Sequence, residues 1–339
     1  MRAEAIEITP SPLEPFPCLE TERKPRGHIL EIQGLKPREI AYNPARPMTV
    51  LDPRTGRPTT LLPIRVESEN SHFERRDGIY NPHIDLAKPV GDGTWRIIDA
   101  EYWKVADTLR QFQGLEDPAQ TSIGDEIVIT GVRAISSGDG KAKTTTEVFA
   151  GPNLQSLKQV AEIEGKDNRF CQLPDGRILF ASRPQGAEAG LGRIALTIIK
   201  SLKDLRSNFH NVPILKDQVP EESWVGANEI QVTYTNGHIE VGILGHIATH
   251  DPNGNRHYAS MAFTVRNAGS VDRQRPITTP IKIISRASDL PQTGAKAPDL
   301  EDIDFPGALI RTGPGRALLF LGKNDWRVAV DEIPDPFRR

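Results

Sequence analysis

Short runs of alternating apolar and polar residues recur along this chain, the period of a strand buried on one face. Five of them share one form: a turn rich in Gly, Asp, Asn or Pro, then a strand, then a polar cluster. They are RTGRPTTLLPIRVESE, ending at Arg65, Glu67 and Glu69; IGDEIVITGVRA, ending near Arg133; LPDGRILFASRPQG, ending at Arg183 and Gln185; TNGHIEVGILGHIATH, ending at His246 and His250; and GPGRALLFLGKND, ending at Lys323 and Asp325. The turns fall near residues 56, 124, 175, 236 and 314, a repeat of roughly 50 to 80 residues. Repeats of that size fit propeller blades, although a β-sandwich can carry the same hairpins. A propeller gathers the five polar strand ends at one mouth of its channel, whereas a sandwich spreads them over two edges. The pattern therefore predicts an all-β chain, with a five-bladed β-propeller ahead of a sandwich. Helical periodicity is best at residues 201–209, too short to organise a bundle.

Composition narrows the class without changing that picture. The chain has 339 residues, enough for two ordinary domains or one large all-β unit. Gly and Pro, at 28 each, suit many strands and turns. With 42 basic and 45 acidic residues mixed along the sequence, no basic face for nucleic acid is expected. Local basic pockets for a small phosphate ligand are compatible with that balance. The two cysteines, Cys18 and Cys171, form no metal spacing or disulfide framework, which fits a reducing compartment. The first residues have no apolar core of a signal peptide, and no run approaches the ~20 apolar residues of a membrane span. A cytoplasmic protein that contacts no membrane is the expectation.

Candidate chemistry comes from a few polar clusters. Glu116-Asp117-Pro118 sits before the second hairpin, where an Asp ordinarily caps a turn; a catalytic role requires its carboxyl at the channel mouth. Arg65, Glu67 and Glu69 share one strand face, and a buried Arg there needs a carboxylate or phosphate partner. Lys166-Asp167-Asn168-Arg169, with Arg183 one hairpin later, is the best candidate oxyanion site, with surface ion pairs the alternative. His246, His250 and His257 lack a consistent metal geometry, and DPNGN lacks the downstream acid of a calcium loop. No metal or cofactor is expected. Nor is there a GxSxG elbow, P-loop or Rossmann fingerprint.

The ordered motifs NPA (Asn43 to Ala45), RVE (Arg65 to Glu67), LEDP (Leu115 to Pro118), RPQG (Arg183 to Gly186), GANE (Gly226 to Glu229), GHIA (Gly245 to Ala248), RHY (Arg256 to Tyr258) and PDLED (Pro298 to Asp302) resemble one family. It is the mannosyltransferase-phosphorylases, which turn over β-1,2-linked mannan in protozoan parasites; the β-mannoside phosphorylases are similar at greater distance. The resemblance spans roughly residues 40 to 335. It implies a five-bladed propeller over 41–339, with 1–40 as an extension packing on or closing it. It also implies inverting phosphorolysis or mannosyl transfer on β-linked, expectedly β-1,2, mannose oligosaccharides, with inorganic phosphate, mannose-1-phosphate or GDP-mannose as the other partner. By the same resemblance Asp117 is the catalytic acid. Lys166, Asn168, Arg169, Arg183, His246, His257 and Tyr258 are the expected phosphate ligands. Arg65, Glu67, Asn228, Glu229, Asp302 and Asp325 are the expected sugar ligands. Two departures bear on specificity: Ala119 follows Pro118 where the β-mannoside phosphorylases usually carry Arg, and Phe320 and Leu321 replace tyrosines. A β-mannoside hydrolase using Glu229 or Asp302 as second carboxylate, and a non-catalytic sugar-binding propeller, are the alternatives.

Overall fold

A computed structural model describes residues 27–71, 80–136, 142–184, 190–206, 214–215, 218–235, 238–266 and 277–337. Residues 1–26 of the expected amino-terminal extension lie outside the described residues.

The chain folds into five sheets set around an axis, the blades of a β-propeller, antiparallel except where Glu31–Gln33 runs parallel to its neighbour. Their inner strands are Glu39–Pro44, Glu116–Ile123, Lys166–Gln172, Trp224–Thr235 and Asp304–Gly313. Each packs against the next, and the fifth returns to the first. That closed ring decides for the propeller over the sandwich. The five alternating runs are the second strands of the blades: Pro58–Ser68, Glu126–Ser136, Ile178–Arg183, His238–His250 and Arg316–Lys323. Each blade's sheet therefore stands between two neighbours, and both faces of its middle strands are buried. In the first blade Leu61 faces the second blade, while Leu62 and Ile64 face the fifth. Phe180 packs toward the second blade and Leu179 toward the fourth. Five apolar clusters result, one in each gap between blades.

The ring is latched by the start of the described chain. His28–Ile29 pairs with Val330 and Ala329 as the outer strand of the fifth blade, and Glu31–Gln33 pairs with the first blade at Thr94–Arg96. A segment of six residues thus joins first and last blades by backbone hydrogen bonds. Among the described residues α-helix is confined to short connections, Ala100–Trp103 and Ala106–Gln111, which the strand pattern did not reveal. The expected helical stretch at 201–209 is a 3-10 turn at Leu202–Arg206, and its last residues lie outside the described ones. No helix among the described residues is long and apolar enough to cross a membrane.

One irregularity repeats in every blade. Pairing between the inner and second strands skips at Asn43, at Asp117-Pro118, at Asp167-Asn168, at Asn228 and at Gly307. These are β-bulges at one level of the channel, and a bulge re-aims the side chains beside it. Asn43, Asp117 and Asp167 adopt φ of 45°, 48° and 57°, a left-handed conformation that Asn and Asp tolerate better than other side chains. At the fifth position a β-carbon on Gly307 would overlap the Pro44 carbonyl oxygen, so close packing of the fifth blade on the first demands glycine. Gly307→Ala is expected to destabilise the fold by about 1–3 kcal/mol. Gly313→Ala, with open space around its β-carbon, should change stability by less than about 0.5 kcal/mol. Urea unfolding of the two variants checks this, and equal midpoints would contradict it.

Candidate active site

The bulges open onto a cavity of about 320 Å³ at one end of the channel. Arg65, Ala134, Arg183, His246 and Asp325 line it, one from each blade's second strand or the turn that follows. The bulge residues Asn43, Asp117 and Asp167 line it as well. The connection between the fourth and fifth blades adds Lys296, Ala297, Asp299, Leu300 and Ile303.

The wall from blades one, two and five is built on Arg65. Its Nη1 donates to Asp117 Oδ1 (3.1 Å), and its Nη2 lies 3.0 Å from Glu116 Oε2 and 3.2 Å from Glu67 Oε1. The guanidinium sits 4.8 Å from the centre of the Tyr42 ring. Such a cation inside the protein requires this many acceptors, because a buried charge without partners is costly. Lys296 reaches Glu67 from the other side and donates to the Tyr42 hydroxyl (3.2 Å). Burial alone would raise the Glu67 carboxyl, but Arg65 and Lys296 outweigh it and hold it at about 2. Glu116 goes the other way: burial raises it more than Arg65 lowers it, and its Oε2 accepts from the Tyr80 hydroxyl at 2.6 Å. Asp325 is raised too, chiefly by burial. Asp117 has a second partner on the same oxygen, since Asn43 Nδ2 donates to Oδ1 at 2.9 Å.

The wall from blades three and four is basic. Lys166 stands opposite Arg183 in the strand register. Arg183 Nη1 donates to Asp167 Oδ2 (3.0 Å) and Nη2 to the Leu191 carbonyl (3.2 Å). Lys166 Nζ has no hydrogen-bond or ion-pair partner among the described residues, and Arg183, then burial, lower its pKa. His246 is buried against Tyr258 and Phe305, with ring centres 5.5 and 4.9 Å away. Its Nδ1 donates to Asn228 Oδ1 (2.8 Å), and its Nε2 lies 3.9 Å from Asp167 Oδ2. Burial pushes its pKa down to about 3, so the imidazole is neutral and Nε2 is an acceptor. A β-carbon at Gly226 would overlap both the His246 ring and the Asp167 carboxylate, which explains that glycine. Burial also pushes the Tyr258 phenol up to about 12, leaving a hydroxyl that can donate.

Of the residues the sequence singled out, Asp117, Lys166, Arg183, His246, Tyr258, Arg65 and Asp325 meet in this cavity. Glu67 is fully buried behind Arg65. Asn168 turns to Thr146 Oγ1 (2.8 Å), and Arg169 donates to the backbone carbonyls of Asn228 (2.9 Å) and Asn168 (3.0 Å). Glu229 accepts from the Leu309 amide (2.7 Å), from Gln231 (2.8 Å) and from Arg46. Asn228 presents its side chain to His246, and these last residues border a separate small cavity. His257 is partly exposed and pairs with Asp302 (2.7 Å) and Asp251 (3.6 Å), outside the lining. Sequence reasoning missed Asn43, Tyr80 and Lys296. Only Asn43 left a trace: Asn-Pro at 43–44 repeats Asp-Pro at 117–118, the same bulge in the neighbouring blade.

With this geometry in hand, comparison places the chain. The sequence profile described as "Protein of unknown function (DUF1861)" matches residues 72–339. The chain belongs to that family. No curated protein matches it by sequence. Among solved structures it is similar to MPT-4, a mannose phosphorylase from Leishmania mexicana in complex with phosphate, at 24% identity and a TM-score of 0.72, covering 91% of this chain and 88% of that one. MPT-1, a GDP-Man-dependent mannosyltransferase from the same organism, gives 23% and 0.70 over 91% and 90%. A β-1,2-mannobiose phosphorylase from Listeria innocua gives 15% and 0.60 over 93% and 96%. These likenesses confirm the five-bladed fold.

The buried, neutral His246 makes a direct prediction. Its folded pKa lies below the value near 6.5 of an unfolded His, so it contributes stability above pH 6.5 that is lost as pH falls toward 3. Its ring signals in ¹H–¹⁵N spectra should stay those of the Nδ1-protonated neutral form from pH 8 to about 5. A titration centred near 6.5 would contradict the placement.

Proposed function

We propose that this protein is an inverting glycoside phosphorylase of β-linked mannosides, able to run in reverse as a mannosyltransferase. The observation that carries the reading is the polarity of the cavity. Asp117 stands on one wall, held by Arg65 and Asn43. On the other wall Lys166, half-buried and without a partner among the described residues, stands beside Arg183. Two cations pressed together are stabilised by an anion between them, and phosphate matches the donors Lys166, Arg183 and Tyr258. His246 Nε2 accepts from a phosphate or sugar hydroxyl.

Phosphorolysis with inversion needs one enzymic acid, because phosphate is itself the nucleophile. Asp117 gives its proton to the leaving glycosidic oxygen as that bond to the anomeric carbon breaks. A phosphate oxygen bonds the same carbon from the opposite face, and the product is an α-mannosyl phosphate. In reverse Asp117 takes the acceptor's hydroxyl proton while phosphate leaves. The fold's likeness to a mannose phosphorylase and a β-1,2-mannobiose phosphorylase supports mannose as the sugar and β-1,2 as the linkage. The likeness to a GDP-Man-dependent enzyme supports a nucleotide sugar as a second donor. Hydrolysis finds less support. Glu229 and Asp302, its expected second carboxylates, stand outside the cavity lining.

Two variants test the assignment. Asp117→Asn should lower phosphorolysis of β-1,2-mannobiose by about 10²–10⁴-fold, the usual contribution of a positioned acid. Full activity in that variant would refute it. Lys166→Met should raise the KM for phosphate by about 10-fold or more, since a charge-assisted contact is lost. It should also raise the urea midpoint, because it removes a charge that the fold disfavours. An unchanged phosphate KM would refute the basic wall as the phosphate site.

A further inference from the structure

The two oxygens of Asp117 are not equivalent. Oδ1 accepts from both Arg65 Nη1 (3.1 Å) and Asn43 Nδ2 (2.9 Å). A carboxylate oxygen with two donors aimed at it has no lone pair left for a proton. Oδ2 has no protein partner among the described residues, on a side chain that lines the cavity. We infer that Asn43 is a positioning residue that directs the transferred proton to Asp117 Oδ2; this rests on the reading of Asp117 as the acid.

The placement of Asn43 is built into the ring. It is the bulge residue of the first blade, as Asp117 is of the second, so the hydrogen bond joins equivalent positions of adjacent blades. Its own φ is 45°, and its backbone and amide oxygen lie against Gly322, where a β-carbon would overlap that oxygen. Asn43 Oδ1 is buried without a partner, so the amide is held for the sake of its Nδ2 side. Arg65 cannot replace it. Arg65 divides its donors among Glu67, Glu116 and Asp117, whereas the single Asn43 bond fixes the rotation of one carboxylate.

Asn43→Gly tests this with little backbone disturbance, because glycine accepts a positive φ while the side chain and its amide are removed. The expected kcat for phosphorolysis falls about 10²-fold, the cost of a misplaced reacting group. The KM for phosphate, set on the far wall, stays within about threefold. In an Asp117→Asn background the same change should cost nothing further, since Asn43 acts only through Asp117. Asn43→Asp, close in shape but charged, should fall as low as or lower than Asn43→Gly. Wild-type kcat in Asn43→Gly would overturn the proposal, as would a loss shared by phosphate affinity or a full additive loss in the double variant. If Asp117→Asn itself keeps wild-type kcat, the reading of Asp117 fails first. An inactive Asp117→Asn beside a fully active Asn43→Gly removes the positioning role alone.

Discussion

The candidate site depends on β-bulges at one level of the ring, three of which put Asn43, Asp117 and Asp167 on its lining. A regular strand alternates its side chains between two faces, and in a propeller blade both faces meet neighbouring blades. A β-bulge is an irregularity that breaks this alternation and re-aims the side chains beside it. The skipped pairs at Asn43, Asp117, Asp167, Asn228 and Gly307 supply that irregularity. Short Asx side chains tolerate the left-handed backbone at three of these positions, and they are also the side chains that carry carboxylate and amide chemistry. Backbone constraint and candidate catalytic chemistry therefore select the same residues.

The bulges place charge as well as shape. Blades one, two and five bring together Glu67, Glu116, Asp117 and Asp325, and Arg65 and Lys296 are the cations that offset these carboxylates within the wall. Blades three and four bring Lys166, Arg183 and His246, with Asp167 answering Arg183 and leaving Lys166 undercompensated. On the acidic wall the carboxylates are answered by Arg65 and Lys296, whereas Lys166 on the basic wall has no partner among the described residues. Under the proposed function such a site would bind phosphate without assembling new charge and would stabilise charge that develops between the walls.

Much of the fold was legible in the sequence, for an identifiable reason. The second strands are buried on both sides and end in polar residues, so they stand out as apolar runs with charged ends, and all five were found. The inner strands were harder to read. Asn43-Pro44, Asp117-Pro118 and Pro306-Gly307 look like turns, because bulges use turn residues. For the same reason Asn43 was quoted only as part of a motif, with no role of its own, and the resemblance alone made its counterpart Asp117 the expected acid. Arg169 and Glu229 illustrate the converse limit. Each belongs to a suggestive cluster, yet a single register step turns one toward backbone carbonyls and the other toward the Leu309 amide, away from the main cavity.

The central claim is that phosphate, not water, attacks the anomeric carbon opposite Asp117. It is tested most directly by incubating the protein with β-1,2-mannobiose, with and without inorganic phosphate, and following products by ³¹P and ¹H NMR. The account predicts turnover only with phosphate, giving α-mannose 1-phosphate and mannose in equal amounts. Release of two mannoses without phosphate, or no turnover in its presence, would contradict it.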